Sequence, residues 1–350
     1  MAIGIKDVAA RAGVSTATVS HVLNGNRPTR PTTRQRVLQA ANALGYAQNQ
    51  AARNLAVGRS SLFGLVISDI RNPFFPEISA AFQDQALLHD MDAVVLNTNY
   101  DDHRMLNSVK RLIGLQVAGV AVLTSEIDPA VTALLEEREI AAVYLDLGKV
   151  DRLVANISID YEHGIAEALE YLGQLGHRRI AYIGGPPHLL SARRRKQAFL
   201  DSMRATGLEA GHAIDADFGV KGGYFACSKL LAASTESVPT AIVAANDLTA
   251  IGVLHRAHDG NLRVPEDLSV IGFDDILMAE FTQPALTTVA VPRSEIGRTA
   301  FQALWSMLGE PGGEPGAAGR EFRLGTRLIK RQSALPPRTP PEERDASDQS

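Results

Sequence analysis

Cysteine is nearly absent from this chain: Cys227 is the only thiol among 350 residues. A single thiol excludes an internal disulfide and a cysteine-rich zinc site. Its neighbours Tyr224, Phe225 and Leu230 mark it as a core residue. Tryptophan occurs once, and aromatic residues make up 5% of the chain. No apolar run reaches the roughly 18–20 residues that span a bilayer, so no membrane partner is expected. The start, Met1 to Asp7, lacks the apolar stretch and cleavage site of an export signal, which points to the cytoplasm. There is no phosphate loop, no Gly-x-Gly-x-x-Gly after a strand, no His-Glu-x-x-His and no Gly-x-Ser-x-Gly. His255 and His258 neighbour each other on one expected helix without a third ligand. No catalytic residue, metal or cofactor is therefore expected, and the chain does not read as an enzyme.

What the chain does have is a lopsided charge. Residues 1–60 hold eight basic residues and one acidic residue, a net +7. The other 290 hold 27 basic and 38 acidic residues, a net −11, and the overall −4 hides the contrast. A small basic head on a larger acidic body suits docking of one end on a phosphate backbone.

The head reads as a helix-turn-helix. Val8, Ala12, Val14, Val19 and Val22 are spaced to share a core, Ala9 is small where helices cross, and Gly13 falls at the turn. Ser15 suits an N-cap bonded near Thr18. Burying Val19, Val22 and Leu23 leaves Thr16, Ala17, Ser20 and His21 outward. That face fits a major groove, Thr16 and His21 meeting base edges and Ala17 a thymine methyl. A third helix is expected over about 33–44, ending at Gly45.

These residues carry a resemblance. Ile5-Lys6-Asp7-Val8-Ala9, Gly13-Val14-Ser15, Thr18 to Gly25, Thr33-Arg34, Leu44-Gly45-Tyr46 and Ala52-Arg53-Asn54-Leu55 resemble the lactose-repressor/galactose-repressor family of bacterial transcription regulators. The similarity runs to about Gln332. It implies operator contacts from Ser15, Thr16, Ala17, Thr18, Ser20, His21, Asn24, Thr33, Tyr46, Asn49, Ala52, Arg53 and Leu55. It also implies a hinge helix over 49–57, folding on DNA beside its twin, with Leu55 wedged into the minor groove. About nine residues are too few for a helix stable alone, and Gly58-Arg59-Ser60-Ser61 reads as a flexible joint. Three departures stand out. Arg30-Pro31 replaces the usual serine cap, so Thr29 or Thr32 is expected to cap helix three. Ala47-Gln48 replaces the basic-proline pair before Asn49, and Ala17 is small for a base-reading position.

Beyond residue 62, apolar runs at 62–67, 93–96, 119–123, 141–145, 180–183, 240–244 and 269–273 alternate with helical periods. The helical segments include 75–88, 164–175, 195–205 and 248–258. This alternation predicts α/β architecture: parallel sheets with helices on both faces, in two lobes facing a cleft. The resemblance implies a type I periplasmic-binding-protein-like body whose chain crosses between lobes near 158–162, 288–292 and 319–324. The expected divisions are head 1–48, hinge and linker 49–61, body 62–332, and a disordered tail 333–350. Within the body, the first lobe takes about 62–159 and 292–320, the second about 160–290 and 322–332. The tail is proline-rich, charged and free of leucine heptads, so the resemblance implies a homodimer rather than a tetramer.

Polar residues gather where apolar runs end, as ligands require in open α/β sheets. Asp69, Asp146, Asn246-Asp247 and Asp274-Asp275 follow expected strands, and Arg195 lies near the start of an expected helix. Phe74 or Phe75, and Phe218, suit stacking on a sugar face. The resemblance assigns effector contact to Asp69, Asn72, Phe74, Asp146, Ser191, Arg195, Phe218, Asn246, Asp247 and Asp274. Asn72-Pro73 also reads as a helix cap, Asp247 as an N-cap and Phe75 as core. Ala198 stands where a glycine is usual. Leu189 replaces a polar residue of purine-responsive relatives, favouring a sugar over a nucleobase. His177-Arg178-Arg179 and the basic run 193–196 read as solvated or cleft-lining. The expectation is a sequence-specific DNA-binding repressor, dimeric on a palindromic operator and controlled by a small sugar-like effector. A transport solute-binding protein shares the body but not the basic head. A sugar-active enzyme would need carboxylates about 5–9 Å apart, which adjacent Asp274-Asp275 cannot supply.

Overall fold

The computed structural model describes residues 3–24, 27–46, 60–124, 126, 128–207, 212–232, 238–309 and 316–338. They divide into two compact units, Met1–Ser61 and Leu62–Ser350.

In the first unit, α1 (Ile5–Ala12) begins where the Asp7 carboxylate accepts from the Gly4 amide at 2.8 Å. It stops at Gly13, whose φ of 64° lies in the left-handed region that glycine adopts without strain. Ser15 caps α2 (Thr16–Asn24), its hydroxyl accepting from Thr18 N at 3.1 Å. Helix α3 (Pro31–Leu44) starts two residues earlier than the periodicity suggested. Pro31 supplies the first helical residue and Arg30 the cap position, without a side-chain bond. Neither Thr29 nor Thr32 caps it: Thr29 Oγ1 donates to Arg27 O instead. Proline at the first position removes one of the helix's unpaired amides and fixes a helical φ there. Val8, Ala9, Ala12, Val19, Val22, Val37, Ala40 and Ala41 form the core.

In the second unit, the first lobe holds a parallel sheet in the order β11-β5-β4-β3-β1-β2. Its strands are β1 (Leu62–Ile67), β2 (Asp92–Asn97), β3 (Gly119–Leu123), β4 (Ala141–Leu145), β5 (Val154–Ile159) and β11 (Glu321–Leu324). One face packs on α4 (Phe74–Leu88) and α12 (Arg293–Leu308), where Phe63, Phe82 and Phe301 meet edge to face at 5.5–6.2 Å. The other face, with Val66, Val120, Val122, Ala142 and Tyr144, is covered by α5 (Asp102–Gly114) and α6 (Pro129–Glu137). Cover on both faces is why β1, β3 and β4 are unbroken apolar runs.

The second lobe repeats the plan in the order β12-β10-β9-β8-β6-β7. Its strands are β6 (Ile180–Ile183), β7 (Ala213–Ile214), β8 (Ala241–Ala244), β9 (Ser269–Asp274), β10 (Thr287–Ala290) and β12 (Arg327–Ile329). All described pairs are parallel except β10 with β12. Helices α7 (Tyr161–Gln174) and α8 (Leu190–Ala205) pack together, as do α9 (Val220–Leu231) and α10 (Asp247–Asp259). A short α11 (Leu277–Phe281) follows β9. Cys227 is fully buried in α9, and burial pushes its thiol up to about 11, so it is the inert core residue expected.

The chain crosses between lobes at Asp160, after Ala290 and at Gly325-Thr326. The third crossing falls just past 319–324, because Glu321 to Leu324 pair with Asn156 to Ile159 in the first lobe's sheet. Residues 321–324 therefore belong to the first lobe, not the second. The segment expected to be loose from 333 is also packed at its start. Ser333 and Ala334 are buried, and the Leu335 carbonyl lies 2.9 Å from His177 Nε2 and accepts from Ser269 Oγ at 3.0 Å. His177 is thus a buried anchor, neither solvated nor cleft-lining, and its pKa is lowered by burial. The remainder of the tail, 339–350, lies outside the described residues, as does the hinge.

Candidate functional site

The carboxyl ends of both sheets point into the space between the lobes. A cavity there of about 20 Å³ is lined by Asn72, Phe74, Phe75, Tyr100, Ser191, Arg195, Phe218, Asn246 and Asp274. That is room for about one water molecule. Several non-glycine residues at these strand ends have left-handed backbones: Asn99, Tyr100, Asp146 and Asp275 at φ 55–60°, and Asp274 at 108°. Such strain persists where surrounding structure holds it, and it concentrates at binding sites.

Arg195 sits in the second turn of α8 and is buried. Its Nη1 donates to Ala245 O at 2.6 Å, and Nη2 lies 3.1 Å from Asp274 Oδ1. The guanidinium lies 4.3 Å from the Phe273 ring centroid, 5.0 Å from Tyr161 and 5.9 Å from Phe218. Burial works against its charge, but Asp274 and two tyrosines more than offset this. Burial lifts the Asp274 carboxyl to about 6, although Arg195 and Arg293 pull the other way. Three buried polar atoms around this cavity accept or donate no hydrogen bond: Arg195 Nε, Asp274 Oδ1 and Ser191 Oγ. The Arg195–Asp274 contact is an ion pair without hydrogen-bond alignment, which reconciles the two observations. An unsatisfied buried polar atom costs about 1–3 kcal/mol, so a polar ligand reaching all three would be held by relieving that cost.

The remaining walls are aromatic. Phe218 from the second lobe and Tyr100 from the first approach to 6.2 Å between centroids, and Phe74 and Phe75 meet edge to face at 5.1 Å. Asn72 lines the cavity and also accepts from Phe74 N at 3.1 Å, so it caps α4 as well. Asn246 does likewise, accepting from Thr249 N at 2.8 Å and donating to Phe218 O at 3.0 Å.

Seven of the ten expected effector residues thus converge: Asn72, Phe74, Ser191, Arg195, Phe218, Asn246 and Asp274. Three acids are absent from the lining. Asp69 is taken up by Arg71, whose Nε and Nη2 donate at 2.9 and 3.0 Å. Asp146 accepts from Ile159 N, Tyr161 Oη and Arg194 Nη1. Asp247 is fully buried, accepting from Thr288 Oγ1 at 2.5 Å and Ile276 N at 2.8 Å, and burial holds its pKa well above the usual range. Tyr100 was missed; the polar Asn97-Thr98-Asn99 run after β2 was the available signal. Phe75 proves to be both core and lining.

In the head, Ser15, Thr16 and Ala17 are exposed, and Thr18, Ser20 and His21 half-buried. Lys6, Arg11, Arg27, Arg30, Arg34 and Arg36 are all exposed, so the outward face of α2 sits in a positive surround. Ser15 and Thr18 hydroxyls bond each other at 2.9 Å. Thr33 and Tyr46 are half-buried, Tyr46 against the head core. Asn24 ends α2, and Asn49, Ala52, Arg53 and Leu55 lie outside the described residues.

A helix-turn-helix head and a two-lobed body closing on a polar and aromatic cleft define a ligand-controlled DNA-binding regulator. The family model for bacterial regulatory proteins of the lacI family matches residues 4–49, and that for periplasmic-binding-protein-like domains matches 169–334. The chain is 33% identical over 310 residues to the ribose operon repressor of Escherichia coli K12, covering 88% of this chain and 93% of that one. It is 31% identical over 307 residues to catabolite control protein A of Priestia megaterium, covering 87% and 92%. The lac repressor dimer bound to operator and the anti-inducer ONPF superposes with a TM-score of 0.81 at 26% identity, covering 96% and 100%. The chain belongs to the lacI family of bacterial regulatory proteins. It is a DNA-binding transcriptional regulator with a small-molecule effector site. Among the described residues no helix is long and apolar enough to cross a membrane.

Proposed function

We propose that this regulator acts in the cytoplasm as a homodimeric repressor, without enzymatic turnover, whose operator affinity is set by a compact polyhydroxylated effector, most simply a monosaccharide. The observation that carries this is the trio of unsatisfied buried atoms, Arg195 Nε, Asp274 Oδ1 and Ser191 Oγ, around an aromatic-walled cavity. Vicinal hydroxyls supply donors for the carboxylate and acceptors for the guanidinium, while Phe74, Tyr100 and Phe218 cover the C–H faces. Because the closed cavity holds little more than a water, the lobes open to admit the ligand and close on it.

On the DNA side, Thr16, Ala17 and His21 read base edges, with Ser15, Thr18, Ser20, Asn24, Thr33 and Tyr46 positioning the helix on phosphates. Asn49, Ala52, Arg53 and Leu55 form the hinge that folds on the operator, Leu55 entering the minor groove. Two heads on a twofold axis read a palindrome, since one short helix reads few base pairs. Leu277, Met278 and Phe281 on α11, 50–75% exposed, give the body an apolar patch suited to a second copy. A change of about 1–3 kcal/mol in the closure equilibrium suffices to switch operator occupancy.

The test is a thermal-shift screen of pentoses, hexoses, sugar phosphates and nucleobases, followed by operator binding with each hit. At a hundredfold excess over Kd a ligand adds about 2.7 kcal/mol to stability. A sugar should stabilise the wild type and change operator affinity, and Arg195→Ala should abolish both responses. Stabilisation by nucleobases alone, or an unaltered response in Arg195→Ala, refutes the assignment.

A further inference from the structure

The acid at the end of β4 is saturated, and two of its three donors come from the opposite lobe. Asp146 belongs to the first lobe and is 4% exposed. Its Oδ1 accepts from Ile159 N at 3.1 Å within that lobe, and from Arg194 Nη1 at 3.0 Å on α8 of the second. Its Oδ2 accepts from Tyr161 Oη at 2.7 Å, at the start of α7. Those donors leave Asp146 little to offer a ligand, and it is absent from the cavity lining.

We propose that Arg194 is a positioning residue which, by reaching across to Asp146, holds the two lobes closed and keeps Arg195 facing Asn72, Phe74 and Tyr100 before any ligand arrives. Arg194 and Arg195 are consecutive on α8 and therefore project about 100° apart. One crosses to the other lobe while its neighbour enters the cleft. Tyr161 follows the crossing at Asp160 directly, so it lies near the pivot and moves little when the lobes rotate. Arg194 lies some thirty residues further along the chain, on the body of the second lobe. With the Tyr100–Phe218 approach, it is one of the contacts that opening must break. Breaking it takes from Asp146 the charged donor among the three that bond it. The closed arrangement is thus favoured by the protein's own contacts, and a ligand that enters the open cleft closes the lobes with that contact's help. The inference goes beyond the effector reading, because the contact joins the protein's own two lobes and requires no particular ligand.

The test uses the full chain without ligand. Asp102→Cys and Val220→Cys place spin labels on exposed residues of α5 and α9, flanking the Tyr100–Phe218 approach from opposite lobes. Cys227 is fully buried and stays unlabelled. Pulsed dipolar spectroscopy should give one short-distance population in the parent. Arg194→Ala should shift much of it to longer distances, and Arg194→Lys, which keeps the charge, should restore part of the short population. If Arg194→Ala fails to fold, Asp146→Asn gives the same reading, since it removes the acid's charge while keeping a polar group for Tyr161 and Ile159 N. A lowered melting temperature with an unchanged distance distribution would show a merely local packing role and overturn the proposal. So would equal opening in the lysine and alanine variants. Failure of every sugar to bind would refute the effector reading and leave these distances as they stand.

Discussion

Acidification should act with opposite sign on the empty cleft and on its grip on a ligand, and Asp274 is the reason. The carboxyl is 3% exposed, and burial lifts it from 3.8 to about 6 despite Arg195 and Arg293. In the unfolded chain it returns to about 3.9. Between those values the folded protein holds a proton that the unfolded chain has released. Stability from this group therefore rises as pH falls from about 6 to about 4, and the group is most costly above 6. A difference of about two pH units corresponds to about 3 kcal/mol. Asp274→Asn cannot titrate and shares every other acid with the parent, so the difference between their stabilities isolates the effect. Urea unfolding of both proteins from pH 7.5 to 4.5 should show the parent gaining about 2 kcal/mol relative to the variant on acidification, the rest coming at still lower pH. The ligand responds the other way, because only the ionised carboxylate offers both oxygens as acceptors. Effector affinity should fall as pH drops through about 6, approaching tenfold per unit below it. Parallel stability curves for the two proteins, or an effector affinity unchanged between pH 7 and 5, would refute the reasoning.

Other perturbations probe the remaining parts. Ser15→Ala removes the hydroxyl that accepts from Thr18 N, and should cost the head about 1 kcal/mol, read as a lowered melting transition of the head. Replacing Thr16 and His21 together by alanine should reduce the ratio of operator to random-DNA binding while leaving that transition in place; an unchanged ratio excludes them as base readers. Gly297 on α12 packs so closely on the Ile78 carbonyl of α4 that an added methyl overlaps it, so Gly297→Ala should cost about 1–3 kcal/mol in denaturant unfolding of the body. Phe281→Glu puts a charge in the exposed patch of α11 and should yield monomers by sedimentation, with operator affinity lost and effector binding kept.

How much of this was legible follows from where each fact is stored. Strands β1, β3, β4 and β6 were readable to the residue, since cover on both faces demands an unbroken apolar run. Strand β5 was not, because Asn156 interrupts it, and that side chain is satisfied by Glu321, 165 positions away. The short β11 and β12 owe their existence to partners in different lobes and have no periodicity of their own. At the cleft, an acid after a strand is legible, but the donors that saturate it are not. Asp146 and Asp274 look equivalent in the sequence, yet one accepts from three donors and the other keeps an oxygen unsatisfied. The same holds for Arg194 and Arg195, adjacent residues of one type. Helical geometry sends them different ways, so one pairs with Asp274 beside the cavity and the other reaches Asp146 in the opposite lobe.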